Sequence, residues 1–355
     1  MDYFFPQALT EICEHSLVFP ERPLRCVIIV NPTAGGFIIK SKWQNCVNIL
    51  NEYREKALLK PKRQMHKNVL MEITEGEGSA GKVTKAFIDR AEKDLNPFYL
   101  IISAGGDGTH AEVMYAMYHA PVNVRSNMAV LRLPMGTGND NSDSVKMKEV
   151  LDLLMNPVHI DYTPAVQLKT AQNGSSMQDK PLLAFNILSV GLDAYVTHMT
   201  NKMKKKTPGD SYKLWLDIAT LFYDKKYKVD FMDVRAFDEK NNEVLSFKEK
   251  LLLLAMGASG FRTYGSQQKI FPDARNVCGI KKMSLFRKMA IKSQVAKGTH
   301  TGNSEVIMTN AHRLEFTGRH PILAQMDGET ILLQPDDFPA VMELTSPVIP
   351  LLKLT

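Results

Sequence analysis

The spacing of apolar residues along the chain changes near residue 157. Before that point, four short apolar segments are each followed by a turn of small residues and by a stretch whose apolar positions recur at helical spacing. The predicted strands are 25–30, 69–74, 98–102 and 128–133, and the predicted helices are 41–58, 79–93, 111–118 and 145–155. Repeated strand–turn–helix units predict a parallel sheet covered by helices on both faces, with ligands at the carboxyl ends of the strands.

After residue 157, short apolar segments alternate with turn residues, which predicts an antiparallel sandwich or a curled sheet. The predicted strands are 160–168, 182–190, 228–237, 244–256, 282–286, 306–309, 313–317, 322–326 and 330–333. Helical spacing returns only at 195–205 and 212–223. This part of the chain therefore forms a second domain of a different class.

The ends of the chain complete the predicted domain organisation. Residues 1–22 show no clear period, and the apolar segment 341–354 is expected to pack back against the first domain. The predicted parts are a lead-in (1–23), an α/β domain (24–157 with the returning segment 336–355) and a β-rich domain (158–335).

Composition narrows the cellular setting and the partners. A chain of 355 residues can hold two domains, and its formal charge of +6 allows a nucleotide, an acidic lipid or a nucleic acid without selecting among them. Four scattered cysteines show neither metal-site spacing nor a disulfide scaffold, and the first residues lack the order of a signal peptide. The longest apolar run, 251–256, is far shorter than a membrane span. We therefore predict a cytoplasmic protein that reaches membranes only at their surface.

Candidate chemistry centres on Gly105-Gly106-Asp107-Gly108-Thr109, between a predicted strand and a predicted helix. Glycines let a ligand approach the main chain closely, and the amides at the start of a helix bind phosphate. Asp107 is acidic where an anion should bind, which indicates a metal ion or a hydroxyl between the two. The alternative for this segment alone is a tight turn with a capping aspartate.

Two better-known phosphate motifs are disfavoured. Gly76 and Gly81-Lys82 have the spacing of a P-loop, but Val83 follows where a metal-binding Ser or Thr belongs. The segment 105–109 does not continue to the third glycine of the dinucleotide fingerprint, because Ala111 stands there. A hydride-transferring enzyme is therefore not expected.

Three further segments extend the pattern. Asn31-Pro32 with its following glycines and Pro134-Met135-Gly136-Thr137-Gly138-Asn139-Asp140 also stand at predicted strand ends, and Gln325-Met326-Asp327-Gly328-Glu329 comes much later. In this order, over about residues 24–335, the chain resembles the diacylglycerol kinase catalytic family, which includes sphingosine and ceramide kinases and bacterial soluble lipid kinases. NAD kinases and phosphofructokinases share only the Gly-Gly-Asp-Gly core.

The resemblance implies a three-layer α/β nucleotide-binding domain of the NAD kinase and diacylglycerol kinase type, facing an antiparallel β-sandwich across the active-site cleft. It implies ATP and Mg²⁺ as cofactors. The residues implied to bind the nucleotide are Asn31, Thr74, Gly105, Gly106, Asp107, Gly108, Thr109 and Thr137. Asp107 is also implied to hold the metal, and Glu329 to act as the general base on the substrate hydroxyl.

The chain departs from the family pattern at several positions. Ala111 and Tyr115 replace asparagines that are frequent in the family, and 141–143 replaces a Phe-Ala-Arg run. Asp143 therefore removes a cation that the family has near the phosphates. Cys278 replaces an aspartate that ligates a structural Mg²⁺, and a thiol is a poor ligand for a hard cation. We expect that second metal site to be absent, or rebuilt from backbone carbonyls and Asp273.

A dense lysine cluster is the remaining feature. Its members are Lys202, Lys204, Lys205, Lys206, Lys213, Lys225, Lys226 and Lys228. A solvated helix face is one interpretation, and contact with an anionic membrane surface is the other. No nucleic-acid reading module accompanies the lysines, so nucleic acid is not an expected partner.

The sequence as a whole predicts an ATP-dependent lipid kinase that transfers the γ-phosphoryl group to a lipid hydroxyl, of diacylglycerol or of a sphingoid-type lipid. Two alternatives stay open: a kinase of a soluble hydroxyl compound such as NAD, and a regulatory protein that binds nucleotide without turnover. Edge strands of the second domain would allow a homodimer.

Overall fold

Two units make up the fold: Met1–Thr163 with Pro347–Thr355, and Pro164–Ser346. The computed structural model describes residues 4–172, 181–204, 223–265 and 267–355. Strand pairing explains why these limits differ from the predicted boundaries. The strand Val158–Thr163 pairs inside the first unit, and the strand Ala340–Leu344 pairs inside the second.

The described part of the first unit contains a sheet of six strands. They are β1 (Leu24–Val30), β2 (Leu70–Ile73), β3 (Phe98–Gly105), β4 (Met128–Pro134), β5 (Val158–Thr163) and β19 (Ile349–Leu354). Their order is β2-β1-β3-β4-β19-β5, in which only β5 runs antiparallel to its neighbour. Because β1, β3 and β4 are parallel neighbours, their carboxyl ends meet at one edge.

Helices pack around this sheet. They are α1 (Phe4–Glu14), α2 (Gly35–Ile38), α3 (Lys40–Leu58), α4 (Ser79–Glu92), α5 (Asp107–Tyr118), α6 (Val122–Arg125) and α7 (Met147–Met155). Buried residues of α1, α3 and α7 share one core with alternate residues of β1, whereas α4 and α5 pack on each other and on β1 and β3.

The prediction that residues 1–22 form an irregular lead-in is wrong, because α1 lies within them. Phe5, Leu9 and Ile12 of α1 are fully buried in the core of the first unit. These positions recur at helical spacing, so one face of α1 is apolar and packs against α3 and α7.

The second unit is antiparallel throughout its described residues. Its strands are β6 (Val166–Lys169), β7 (Leu182–Ala184), β8 (Ile187–Gly191), β9 (Phe231–Phe237), β10 (Glu243–Gly257), β11 (Arg262–Tyr264), β12 (Gln268–Phe271), β13 (Val277–Lys281), β14 (Val306–Thr309), β15 (Arg313–Phe316), β16 (Ile322–Met326), β17 (Glu329–Leu333) and β18 (Ala340–Leu344). Most of them form one sheet in the order β17-β16-β8-β10-β9-β15-β18-β6-β7, with β13 and β14 branching from β10.

The long strand β10 makes this sheet curl. Its first half pairs with β9, and its second half pairs with β8 on one side and β13 on the other. A single strand therefore belongs to both parts of the sheet. The predicted class, an α/β domain followed by a curled antiparallel β-rich domain, is confirmed.

The helices of the second unit correct one sequence prediction, and the strands around its start correct another. The helices are α8 (Leu192–Lys204), α9 (Tyr223–Lys226) and α10 (Leu285–Lys297), with short 3-10 turns at His300–Gly302 and Pro335–Asp337. The strand predicted at 282–286 is wrong, because α10 begins at Leu285. The strand predicted at 160–168 is two strands in different units, β5 and β6. The helix predicted at 212–223 lies outside the described residues, apart from its last residue. Among the helices described, none is long and apolar enough to cross a bilayer.

Candidate functional site

The carboxyl ends of β1, β3 and β4 bring most of the predicted nucleotide-binding residues together. The Asn31 side-chain amide donates to Thr109 Oγ1 over 3.1 Å, and the Asn31 backbone amide donates to Ala104 O over 2.9 Å. Thr137 is exposed in the loop after β4, and its Oγ1 lies 2.9 Å from where a Cβ on Gly35 would stand. The loops after the three strands are therefore in direct contact.

Thr74 occupies the same edge of the sheet. It follows β2, and its backbone amide donates to Val30 O at the end of β1 over 2.8 Å. Its side chain is half-buried. The structure thus places Thr74 at the outer side of the crevice, beside β1.

The glycines of the segment 105–109 differ in how much space surrounds the position of a Cβ atom. A Cβ on Gly105 would lie 2.6 Å from Thr109 Oγ1, and one on Gly136 would lie 2.6 Å from the Gly106 Cα. A side chain at either position would collide with these neighbours. A Cβ on Gly108 would meet no heavy atom within 4 Å. Gly108 is therefore open toward the space that a ligand would occupy.

The start of α5 presents backbone amides at this opening. The first hydrogen bond of the helix runs from His110 N to Gly106 O, at 3.1 Å. The amides of Gly108 and Thr109 precede it and take no part in the helical ladder. Together with the positive end of the helix dipole, they form a cradle for a phosphate group.

Asp107 and Asp140 place two carboxylates beside this cradle. One oxygen of Asp107 accepts the Asn141 backbone amide at 2.8 Å. Its other oxygen and one oxygen of Asp140 lie 3.1 and 2.9 Å from the same point, the Cβ position of Gly138. Asp140 is absent from the predicted site residues, although it lies within a motif that supported the resemblance.

The two carboxylates fit a Mg²⁺ ion that is bound together with phosphates. Such ions take one or two protein carboxylates and complete their coordination with phosphate oxygens and water. No group of three or more His, Cys, Asp or Glu side chains suited to a metal occurs in the described part of the chain. The donor set therefore suits a nucleotide-borne metal rather than a metal site made wholly of protein ligands.

Asp143 does not face the crevice. Its carboxylate forms a buried ion pair with Arg132 of β4 at 2.7 Å, and the two side chains are 2% and 3% exposed. It also accepts the Arg132 backbone amide at 2.6 Å. The guanidinium donates further to Asn141 Oδ1 over 2.9 Å. The charge of Asp143 is thus balanced inside the unit by a cation that the sequence analysis missed.

His110 lies fully buried on α5, where Nδ1 is 2.8 Å from Ser103 Oγ. Burial, and secondarily the charge of Arg132, lowers the pKa of His110 to about 3. The imidazole is therefore neutral at physiological pH. His110 directly follows the cradle residues Gly108 and Thr109, and its buried side chain joins the start of α5 to Ser103 of β3.

The start of α4 resembles a P-loop in sequence, but a side chain of the protein accepts its backbone amides. Glu112 of α5 accepts the Gly78 backbone amide at 2.8 Å and the Gly81 amide at 3.2 Å. These are amides that a P-loop would offer to phosphate. A carboxylate of the protein already occupies them, which agrees with the interpretation against a P-loop.

Glu329 lies in the second unit, at the start of β17, where its side chain is exposed. Hydrogen bonds of Asp327 hold the turn that precedes Glu329. Asp327 has φ 47° and accepts the backbone amides of Asn186 and Ile187 at 3.0 and 3.2 Å. Asp327 therefore fixes the turn, and Glu329 is the acid that it presents to solvent.

A buried polar cluster beneath the turn completes this support. Gln325 accepts the Gly328 amide at 3.2 Å and donates to Ser189 Oγ at 3.0 Å and to Asp193 Oδ2 at 3.1 Å. Ser189, Asp193 and Gln325 are all buried. Ser189 and Asp193 thus support the turn through Gln325.

Cys278 is fully buried in β13 between β10 and β14, and burial raises its pKa to about 12. Asp273 is paired with Arg275, whose hydrogen bond lowers the Asp273 pKa to about 2. The thiol is thus protonated, and the carboxylate already has a cationic partner. The expected loss of the second metal site stays a prediction.

Three members of the lysine cluster, Lys205, Lys206 and Lys213, lie outside the described residues. The side chains of Lys202 and Lys228 are described, and both are exposed. The membrane role assigned to the cluster therefore stays a prediction.

Comparison with known proteins agrees with this geometry. Residues 25–160 match the family of the diacylglycerol kinase catalytic domain. The chain is 27% identical over 237 residues to a Yersinia enterocolitica protein named probable lipid kinase YegS-like, covering 65% of this chain and 72% of that one. It is 22% identical over 324 residues to a Bacillus subtilis diacylglycerol kinase, covering 88% and 92%.

A solved structure extends the similarity to the fold. The structure of a diacylglycerol kinase from Bacillus anthracis matches with a TM-score of 0.54 and 14% identity, over 92% of this chain and 96% of that chain. This structural match shows a shared fold, and the resemblance seen in the sequence motifs is confirmed by the family model and the two relatives. Residues 25–160, less than half of the chain, are thus similar to the diacylglycerol kinase catalytic domain.

Proposed function

We propose that this protein is a lipid kinase that transfers the γ-phosphoryl group of ATP to a lipid hydroxyl. The observation that carries the proposal is the amide cradle at the start of α5, with Asp107 and Asp140 beside it, in a domain of a kinase family. Diacylglycerol and sphingoid-type lipids both offer the required hydroxyl.

The residues of the first unit act by binding and orientation. The amides of Gly108 and Thr109 hold phosphate oxygens, and Asn31 fixes the Thr109 hydroxyl. Thr74 and Thr137 line the nucleotide on either side. Asp107 and Asp140 would hold Mg²⁺, which neutralises the phosphate charge during transfer. Because Asn141 fixes one oxygen of Asp107, the other oxygen keeps its orientation.

Glu329 acts on the acceptor. A carboxylate at an exposed turn can accept the proton of the lipid hydroxyl as that oxygen attacks phosphorus. The buried Gln325 cluster and Asp327 restrain the turn, so the acid is presented from a rigid support. This rigidity limits the entropy lost when the substrate binds.

The protein would act in the cytoplasm at an anionic membrane surface. All four cysteines are free and buried, which supports a reducing compartment. The exposed Lys202 and Lys228 contribute positive charge in the second unit. A lipid kinase needs such contact because its substrate stays in the bilayer.

The first experiment identifies the acceptor. Radiolabelled ATP is incubated with the protein and a mixed lipid extract, and in parallel with NAD. Labelled lipid is the expected product. Labelled NAD would instead identify a kinase of a soluble compound, and nucleotide binding without turnover would identify a regulatory protein.

A second experiment tests the base. Glu329→Gln should lower kcat by a factor of ~10² or more with unchanged ATP affinity. Glu239→Gln is the matched control, because Glu239 is also an exposed turn residue of the second unit. Equal activity of the two variants would show that Glu329 is not the base.

A third experiment tests the phosphate cradle. Gly108→Ala adds a methyl group where the fold leaves space, so thermal stability should be retained while the KM for ATP rises about ten-fold or more, the effect of losing roughly 1.4 kcal/mol of binding. Gly76→Ala, which also meets no atom within 4 Å, is the control. An unchanged KM for ATP in Gly108→Ala would place the nucleotide elsewhere.

A further inference from the structure

The inner face of α10 buries a charge. Positions 288, 291 and 295 recur at helical spacing and are all buried, and the first of them is Lys288. Lys288 is 9% exposed and forms an ion pair with Asp224. A helix on a protein surface ordinarily keeps its lysines outside.

The outer face of α10 is correspondingly apolar. Positions 286, 289, 290 and 293 form a stripe at helical spacing on the side opposite to the buried residues. Phe286 is 83% exposed and Met289 is 54% exposed, with Ala290 and Ser293 beside them. This helix therefore presents two large apolar side chains to the surroundings, whereas a lysine lies with Ile291 and Val295 on its inner face.

The charges around this stripe are positive. The helix contains four basic residues and no acidic residue. Arg287 is paired with Glu305 at 2.6 Å, whereas Lys282 just before the helix and Lys297 at its end carry exposed charges. The stripe and its flanks together fit an anionic surface with an apolar layer beneath it.

We propose that α10 is a membrane-docking helix. We call its exposed face the docking stripe, which consists of Phe286, Met289, Ala290 and Ser293. Phe286 and Met289 enter the boundary between headgroups and acyl chains of an anionic phospholipid bilayer. Lys282 and Lys297 face the lipid phosphates. The inference rests on the proposed function, since a lipid kinase must meet its substrate in a bilayer.

The test is co-sedimentation of the full chain with vesicles in the absence of ATP. The vesicles consist of phosphatidylcholine, either pure or mixed with phosphatidylglycerol. Wild type should bind the mixed vesicles more tightly than the pure ones. Phe286→Ser with Met289→Ser should weaken binding to the mixed vesicles about ten-fold or more, since apolar area no longer leaves water.

Leu59→Ser is the matched control, because Leu59 is a large apolar residue that is 87% exposed and belongs to the first unit, whereas the docking stripe belongs to the second. It should bind vesicles as wild type does. Since Phe286 and Met289 are exposed, their variants should melt at the wild-type temperature, which excludes misfolding as the cause of weaker binding. Lys282→Gln with Lys297→Gln should reduce the preference for the mixed vesicles.

Three outcomes would overturn the inference. One is unchanged vesicle binding by the Phe286→Ser and Met289→Ser variant, and another is an equal loss in Leu59→Ser. The third is a vesicle-free dimer of the wild type that this variant converts to a monomer, because a second copy would then cover the stripe. Binding that depends on Phe286 without phosphorylation of any lipid would contradict the proposed function alone.

Discussion

The buried pair of Arg132 and Asp143 gives the sharpest prediction for the first unit. Asp143→Ala would leave the guanidinium in the interior without its counter-charge, with its hydrogen bond to Asn141 Oδ1 retained. Breaking a buried ion pair on one side costs about 3–5 kcal/mol, because the surviving charge has neither water nor a counter-charge. Domains are typically stable by about 5–15 kcal/mol, so the first unit should lose a large part of its stability.

A double variant separates the charge from the hydrogen bonds. In Arg132→Met with Asp143→Asn, the amide oxygen of residue 143 can still accept the backbone amide of residue 132, and no buried charge remains. The lost hydrogen bond to Asn141 should cost about 1–2 kcal/mol. The double variant is therefore expected to be more stable than Asp143→Ala, although it carries one more substitution.

The measurement is urea unfolding followed by the fluorescence of Trp43. Trp43 packs on Phe5 and Phe37 in the first unit, with ring centroids 6.1 and 5.7 Å apart. Since the chain has two tryptophans, a Trp215→Phe background makes Trp43 the sole reporter. Glu149→Ala, which breaks the exposed pair with Lys146, is the control and should not change the transition measurably.

The result that would refute this reasoning is an Asp143→Ala variant within about 1 kcal/mol of its parent, the range of an exposed pair. A double variant no more stable than Asp143→Ala would also refute it. The first result would mean that water reaches the pair in solution. The second would mean that the hydrogen bonds, and not the uncompensated charge, determine the cost.

Three further predictions concern buried groups of the described fold. Between pH 6.5 and about 3, His110 binds a proton in the unfolded chain but not in the folded one, so the wild type becomes less stable as the pH is lowered. When the pH is lowered from 7 to 5, His110→Leu should therefore lose about 2 kcal/mol less unfolding free energy than the wild type, measured by urea titration. Glu112→Ala removes the carboxylate that accepts the Gly78 amide, and should cost about 1–2 kcal/mol in the same assay. All four cysteines are buried, and burial raises the Cys278 pKa to about 12, so a thiol reagent at mildly alkaline pH should label the protein only after unfolding.

Each of these has a clear contrary result. Equal losses in wild type and His110→Leu would mean that the folded imidazole titrates normally. A fully stable Glu112→Ala would mean that water satisfies the amides of α4, with Glu92→Ala as an exposed control. Rapid labelling of the native protein would mean that the thiols become accessible without global unfolding.

The sequence predicts the first domain well because local and tertiary signals agree there. The strands β1 and β3, which end at Val30 and Gly105, are largely apolar and are buried along almost their whole length, as expected for central parallel strands. The glycine turn and Thr137 lie at one edge of the sheet because parallel strands end together. Topology therefore determines which loops meet, even before side chains are placed.

The errors arise where side chains are buried against their ordinary preference. The segment 282–286 alternates polar and apolar residues, a pattern that indicates a strand. The helical pattern of α10 is hard to detect in the sequence because its buried face contains Lys288, and a lysine is not expected at a buried position. The pairing of Asp143 was missed because Arg132 is eleven positions away and the contact depends on tertiary structure, and the loss of a cation near the phosphates stays a prediction. Asp140 could have been found from its motif, next to Asn139.

The position of β19 has a consequence for how the protein forms. This strand lies between β4 and β5, yet all of the second unit separates it from them in the chain. On the ribosome, the first unit must wait for residues 349–354 to emerge before β5 can find its neighbour. Until then, β4 has an open edge, which makes the nascent chain a candidate for chaperone binding.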